Sequence, residues 1–448
     1  MKKFLSISIF VIFGLAVIIA IYRFSFRKSI PEAPVEEQVA SVLEQNGCFQ
    51  CHSNSGVRPF YASFPVIGEQ MDAHITHGTR FVELEEASKD LANVSEVTLA
   101  MIEDAVMKDN MPLMEYKMIH WGTGFNKEEK SLLTQWIMDV RSARFATGLA
   151  SDEYKNDPLQ ALPCCIPTDS AKVALGQKMY NDTRISLDNT LSCATCHILK
   201  DGGADSRGTR TSEGINGQFG GINAPTVYNA YYNVKQFWNG RAADLQMQAA
   251  GPPANPIEMG DQTWEQIVER LSQDAALVAE FNAIYPEGLT EGTVTNAIAE
   301  YEKTLTNPNT KLDKYLKGDA NAFNDNEKAG YQAFLDNSCQ TCHVGKTLGG
   351  QSFEFLGIFE DYFAARDSEI AYNADDDGLK GFTGNEGDLH RFKVPNLRLI
   401  SKTAPYFHDG SMATVEDAVR AMFRFQYGKT ADETTVNNIS EFLKSGLE

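Results

Sequence analysis

Three pentapeptides of the form Cys-x-x-Cys-His, at Cys48–His52, Cys193–His197 and Cys339–His343, constrain this chain more than anything else in it. The spelling is that of c-type haem attachment, in which two thiols form thioethers to the haem vinyls and the next histidine ligates iron. A single match is compatible with a zinc site or a redox pair. Three matches, each ending in histidine, point to three covalently bound c-type haems. The expected thioether pairs are Cys48 with Cys51, Cys193 with Cys196, and Cys339 with Cys342, and the iron ligands are His52, His197 and His343. Together they use six of the eight cysteines and three of the eight histidines.

A chain of 448 residues is too long for one average domain, so one domain per haem is the natural expectation. A hydrophobic content of 43% is enough for proper cores. The balance of 40 basic against 60 acidic residues, a net charge of −20 before any haem propionates, makes nucleic acid an unsuitable partner. An acidic surface suits a basic cytochrome, and it also serves plain solubility.

Residues Phe4 to Tyr22 are almost wholly apolar. At about 1.5 Å per residue they are long enough to cross a hydrocarbon core. The run is longer than the apolar region of a signal peptide, and no small-residue cleavage site follows it. Residues 1–30 therefore read as a cytoplasmic stub and a single-pass transmembrane anchor in the inner membrane. Flanking charge does not orient it, since Lys2 and Lys3 are matched by Arg23, Arg27 and Lys28. Haem attachment does, because c-type maturation occurs outside the cytoplasmic membrane, which puts the bulk of the chain in the periplasm.

The fold class is mainly α, with the anchor followed by a mono-haem helical domain (31–150), a polar, proline-bearing linker (151–170) and two cytochrome c-like haem domains (171–323 and 324–448). The last two share an internal repeat. Ser192-Cys-Ala-Thr-Cys-His-Ile-Leu-Lys is echoed by Ser338-Cys-Gln-Thr-Cys-His-Val-Gly-Lys, and each run reaches a glycine pair, at 202–203 and 349–350. Upstream of each lies a helical pattern with a start signal: Asp169 or Ser170 before Val173, Met179 and Tyr180, and Asn324 or Asp325, with Glu327, before Tyr331, Phe334 and Leu335. Further helices are expected at 262–275, 293–305 and 413–426, and strand signals are weak. The first motif lacks the repeat's context.

A haem that only moves electrons has two protein ligands, whereas one that activates a small molecule keeps a position open. For the first haem the candidate sixth ligand is Met111, in Asp-Asn-Met-Pro, with His74, His77 and His120 as rivals. For the third it is Met422, which read alone is more typical of a core methionine. The second has none: residues 198–224 contain neither histidine nor methionine. That absence implies an accessible iron.

Two segments, QFWNGRAADLQMQAAGPPANPIEMG (236–260) and VPNLRLISKTAPYFHDGSMATVEDAVRAMFRFQYGK (394–429), resemble the bacterial di-haem cytochrome c peroxidases. The resemblance covers roughly 171–448. With the anchor and the extra N-terminal haem domain, the whole chain resembles the tri-haem, membrane-anchored branch described as quinol peroxidases. The N-terminal part also resembles a small haem-binding domain family, through CHSN…PFY, the Met-Pro pair and the HW…KEEKSLLTQWI run. The resemblance implies a peroxidatic second haem and an electron-transferring third haem with Met422 as its axial ligand. It makes Trp238 the residue between the two, and puts Gln248 and Glu258 on the open face as peroxide-orienting group and general acid–base. It also implies one calcium ion held by Asn223, Thr403 and Pro405. His408 fits a structural hydrogen-bonding role. Many relatives block the peroxidatic iron with a histidine from the following loop, but here TSEGINGQFGG (211–221) has none, so the site is expected to be open without reductive activation.

The implied activity is reduction of hydrogen peroxide to water, with electrons from membrane quinol or a c-type cytochrome passing through the first and third haems. A homodimer is left open. A non-enzymatic electron relay would need every iron six-coordinate and no acid–base pair. A cofactor-maturing oxidase of the same superfamily would carry tyrosine where this chain has Met422. Cys164-Cys165 lies outside every haem motif and receives no role, and Asp375–Asp377 reads as a solvated acidic loop.

Overall fold

Each of the two similar motifs belongs to a half in which a leading helix crosses a later helix at a glycine. In the computed structural model, which describes residues 11–18, 21, 29–120 and 122–448, helix Ser170–Tyr180 packs on Glu291–Glu302, and helix Asp325–Asp336 packs on Glu433–Glu441. A Cβ on Gly176 would stand 1.8 Å from the Ala297 carbonyl oxygen, and one on Gly330 would stand 2.0 Å from that of Asn438. Only glycine permits backbones to meet this closely. Both leading helices start as their sequences require. Asp169 accepts hydrogen bonds from the Ala171 and Lys172 amides, and Asn324 with Glu327 forms a reciprocal capping box.

Each crossing is sealed by its own apolar cluster. Leu175, Met179, Ile267, Phe281, Val294 and Ile298 fill the second-motif half. Phe334, Val436, Ile439, Phe442 and Leu443 fill the third-motif half. Burial of such side chains supplies about 1.5–3 kcal/mol each before entropy is charged against it.

The chain separates into two compact units at Phe145/Ala146. In the first, helices Val35–Gln45, Glu96–Lys108 and Lys127–Arg144 surround Val39, Val42, Leu99, Leu133 and Trp136, and helix Pro65–Phe81 packs against the first motif. The second contains both similar motifs.

Two sequence expectations change shape. The stretch 151–170, read as a linker, is built into the second unit: Leu159, Ala161 and Leu162 are fully buried, and the Leu162 amide donates to Asp313 Oδ1 at 2.7 Å. Prolines and polar residues made it look detached, but its apolar triplet finds a core. The helix expected over 262–275 ends at Leu271, because Asp274 caps a separate helix, Ala275–Ile284. Strand content among the described residues is a single antiparallel pair, Phe353–Phe355 with Arg391–Lys393, in which Glu354 faces Phe392. No helix among the described residues is long and apolar enough to cross a membrane. Most of the stretch expected as the anchor (1–10, 19, 20 and 22–28) lies outside them.

Candidate haem-binding and active site

All three motif histidines are held in the same way. His52 Nδ1 lies 2.9 Å from Gly78 O and 3.2 Å from Val82 O, His197 Nδ1 lies 3.2 Å from Gly203 O, and His343 Nδ1 lies 3.1 Å from Leu348 O. A carbonyl can only accept, so each Nδ1 carries the proton and each Nε2 presents its lone pair, the arrangement a metal-bound imidazole needs. Burial keeps the rings neutral, lowering His52 and His197 below the ordinary histidine range and His343 to about 4.

The motif cysteines share this environment. Each pair spans a single short turn, Cys48–Cys51 and Cys193–Cys196 as one helical turn and Cys339–Thr341 as a 3₁₀ turn that delivers Cys342, so both thiols and the histidine come from one piece of backbone. Burial pushes the Cys48 and Cys193 thiols up to about 12. It also raises Cys51, Cys196 and Cys342 above the ordinary thiol range. None of the eight cysteines is in a disulfide. Thiols held neutral beside an oriented imidazole fit thioether attachment with iron on the histidine. Lys393 supports the same fit. It is buried, burial lowers it to about 8, and no ion pair appears for it among the described residues, which suits a cation awaiting a haem propionate.

Around the second motif the structure gathers Glu258 and the loop 211–221, while Gln248 sits half-buried on the preceding helix, Leu245–Ala254. Asn255, which ends that helix, organises the turn. Its Oδ1 accepts from the Ile257 amide at 2.9 Å, and its Nδ2 donates to Glu258 Oε1 at 2.8 Å. Burial raises the Glu258 carboxyl above the ordinary range. Arg241 opposes this, the negative charge of Asp375 adds to it, and the Asn255 hydrogen bond opposes it. Glu258 is near enough for its charge to act on Cys196. A carboxyl whose pKa is raised in this way is suited to carrying a proton in acid–base chemistry. Asn255, Arg241 and Asp375 were missed by sequence reasoning. Asn255 could have been found as a helix-ending asparagine three residues before the acid, but the other two are joined only by the fold.

Trp238 is buried between elements of both halves. Its Nε1 donates to Asn223 O at 2.8 Å, its carbonyl accepts from the Lys393 amide at 2.8 Å, and its ring lies edge-on to His408 at 6.4 Å. Asn223 in turn binds the third-motif half twice. Its amide donates to His408 O at 2.7 Å, and its Nδ2 donates to Pro405 O at 2.6 Å. Asn223 and Pro405 are thus brought together, while Thr403 turns its Oγ1 to Ile400 O at 3.3 Å and lays its methyl against Gly202. The side-chain amide can exchange O for N, so Asn223 can present an oxygen beside Pro405 O, a neutral set that suits a hard cation.

Met422 is half-buried on helix Val415–Tyr427, whose Val415, Val419 and Phe423 face the core. That helix ends on the third motif, where Tyr427 OH donates to Ser338 O at 2.8 Å. His408 lies in a buried network: its Nε2 is 2.9 Å from Asp376 Oδ1, and Phe392 stacks on it at 4.1 Å. Arg366 donates to both Asp376 oxygens at 2.8 Å and to Asp409 at 3.0 Å. Asp376, His408 and Asp409 bring ligand atoms within 4.8 Å, but the guanidinium already stands where a cation would, and the cluster reads as an ion-pair network.

In the first unit, Gly47 (φ 77°) feeds the first motif, and a Cβ there would overlap Tyr116 OH at 2.1 Å. The helix carrying His74 and His77 supplies the carbonyl that accepts from His52 Nδ1, so it lies behind the imidazole, away from iron. His120 is occupied by a hydrogen bond to Tyr61 OH and a stack on Tyr116 at 4.0 Å. Met107, Met114 and Met118 are more than 60% exposed, whereas Met111 is half-buried. Cys164 and Cys165 are exposed on the second unit.

Comparison with known proteins adds to this geometry. The family model described as "Di-haem cytochrome c peroxidase" matches residues 170–321, and that described as "Haem-binding domain" matches residues 21–139. The chain is 43% identical over 411 residues to Cytochrome c peroxidase Ccp of Escherichia coli (strain K12), covering 91% of this chain and 87% of that protein. It is 40% identical over 292 residues to Cytochrome c551 peroxidase of Nitrosomonas europaea, covering 65% and 84% respectively. A solved structure of a MauG-like protein associated with microbial copper homeostasis matches with a TM-score of 0.54 at 26% identity, covering 66% of this chain and 94% of that one.

Proposed function

This chain belongs to the di-haem cytochrome c peroxidase family and is a haem peroxidase acting on hydrogen peroxide, and from that premise we propose that it carries three c-type haems with chemistry confined to the second motif. The observation that carries the assignment is Glu258. It is a partly buried carboxyl with a raised pKa beside the second motif, bound by Asn255; the third motif has a buried acid of its own, Glu354, but is also approached by the Met422 helix. Haem iron supplies the redox chemistry that cleaves the O–O bond; the chain supplies the proton movements. Glu258 takes a proton from one peroxide oxygen and returns it to the other, so that water can leave. Asn255 aims the carboxyl by binding Oε1, and Gln248 orients peroxide by hydrogen bonding. His197, held by Gly203 O, would be the ligand to iron.

In this reading His343 and Met422 would hold the third haem, a ligand pair that raises a haem's potential and suits it as an electron reserve. Trp238 carries the electron between the halves. His52 and Met111 would hold the first haem, which would supply that reserve. Phe4–Tyr22 anchors the chain in the inner membrane with its bulk in the periplasm, and membrane quinol is the donor. A c-type cytochrome is the second reading of the donor, favoured by the net charge of −20 and by the likeness to cytochrome c and c551 peroxidases. Asn223, Thr403 and Pro405 would hold one calcium ion between the halves.

The test is steady-state peroxide consumption by the full-length, membrane-reconstituted protein with a quinol or a reduced c-type cytochrome as donor. Turnover with quinol, and its loss in E258Q, are expected. Turnover with the cytochrome alone reassigns the donor, and wild-type turnover by E258Q removes the mechanism.

A further inference from the structure

The run Asp375–Asp377 is three carboxylates in three different surroundings. Asp376 is buried in the Arg366–His408 network, and Asp377 accepts from Tyr372 OH at 2.7 Å. Asp375 turns instead toward the loop that follows the second motif. A Cβ on Gly221 would stand 2.6 Å from Asp375 Oδ2 and 3.0 Å from Asn373 Oδ1, so the end of that loop lies directly against this carboxylate. Asn373 fixes it there, its Oδ1 accepting from the Asp375 amide at 2.8 Å.

The other end of the same loop grips Glu258. The Ile215 amide donates to Ile257 O and Glu258 O at 3.1 and 3.0 Å, and a Cβ on Gly214 would meet Ile257 O at 2.0 Å. Loop 211–221 therefore holds two carboxylate-bearing turns, one from each half of the unit. Arg241, stacked 3.4 Å over the Phe237 ring with Nη1 donating to Asn239 Oδ1 at 3.3 Å, acts electrostatically on both acids.

We propose that Asp375 is a positioning residue of the peroxidatic site: reaching from the third-motif half across Gly221, it shares Arg241 with Glu258 and so tunes the proton transfer that Glu258 carries out. The inference rests on reading Glu258 as the acid–base. Its charge environment is complete enough to give the sign. Arg241, Asp375, Asn255 and Cys196 face Glu258, and among these Asp375 makes the Glu258 carboxyl harder to ionise while Arg241 makes it easier. Arg241, Asp376 and His408 face Asp375. Neutralising Asp375 leaves Arg241 acting on Glu258 alone, which strengthens Glu258 as an acid and weakens it as the base that must first take a proton from peroxide. The acidic run thereby ties the third-motif half to chemistry at the second.

The experiment is the pH dependence of kcat/KM for hydrogen peroxide in the full-length haem-loaded protein, comparing wild type, D375N and D375E at equal haem content. D375N is expected to move the acidic limb to lower pH by about half a pH unit or more and to lower the plateau several-fold, with D375E restoring the limb. An unmoved limb in D375N overturns the proposal. So does a D375E profile that matches D375N, which would mark a purely structural role. If E258Q is inactive while D375N keeps the wild-type limb, the proposed function stands and this inference alone falls.

Discussion

The second- and third-motif halves are built on one plan and differ in what surrounds the histidine. In each, a capped helix crosses a partner at a glycine, Gly176 on Ala297 O and Gly330 on Asn438 O, and the motif histidine gives its Nδ1 proton to a carbonyl at nearly the same distance. Beyond that shared frame, each motif has a buried acid near it, Glu258 at the second and Glu354 at the third, but the third is also met by the helix of Met422, while the second has loop 211–221 holding the Glu258 turn. The lesson is that the repeat encodes attachment, and that single residues outside it assign the work. Sequence similarity between the motifs says nothing about which one is catalytic.

This comparison can be broken at its largest difference first. E258Q should lower kcat/KM for peroxide by about 10²–10⁴-fold, because it keeps the shape and removes the proton carrier. Gln248→Leu should cost about 10²-fold, through loss of a single orienting donor. Both are read from steady-state peroxide consumption, with haem content as the control. The wild-type acidic limb has a sign as well. Glu258 must begin ionised, and burial raises its pKa, so as the pH is lowered activity should be lost at a higher pH than that at which an ordinary glutamate protonates. On the third-motif side, Met422→Ala should leave peroxide binding at the second haem intact and lower the third haem's midpoint potential by on the order of 0.1 V in a spectroelectrochemical titration. The smallest effects sharpen the likeness instead. Gly176→Ala and Gly330→Ala should each destabilise by about 1–3 kcal/mol in chemical denaturation, since a methyl must enter space held by a backbone carbonyl. Unequal costs would show that the two crossings are less alike than they look.

What the sequence made legible was local. The motifs, the repeat, the Asp169 cap and the Asn324–Glu327 box rest on residues within a few positions of one another, and the structure has them as read. What it hid was long-range. Asp375, Asp376 and Asp377 are indistinguishable as letters, yet one faces Gly221, one binds Arg366 and one binds Tyr372, because the fold presents a different neighbour to each. The stretch 151–170 looked like a tether because its prolines and polar residues are local signals, whereas the burial of Leu159 and Leu162 depends on a core assembled from residues far along the chain. Glu258 and Gln248 were reached through resemblance. Arg241 and Asp375, which act on Glu258, are joined to it by the fold alone.

The central claim is that three motifs of one spelling hold one reactive haem. Cyanide titration of the oxidised full-length protein, followed optically and by electron paramagnetic resonance without prior reduction, tests it most directly. One haem of three is predicted to change its signal while the other two keep theirs. Binding at no haem, or at more than one, would contradict it.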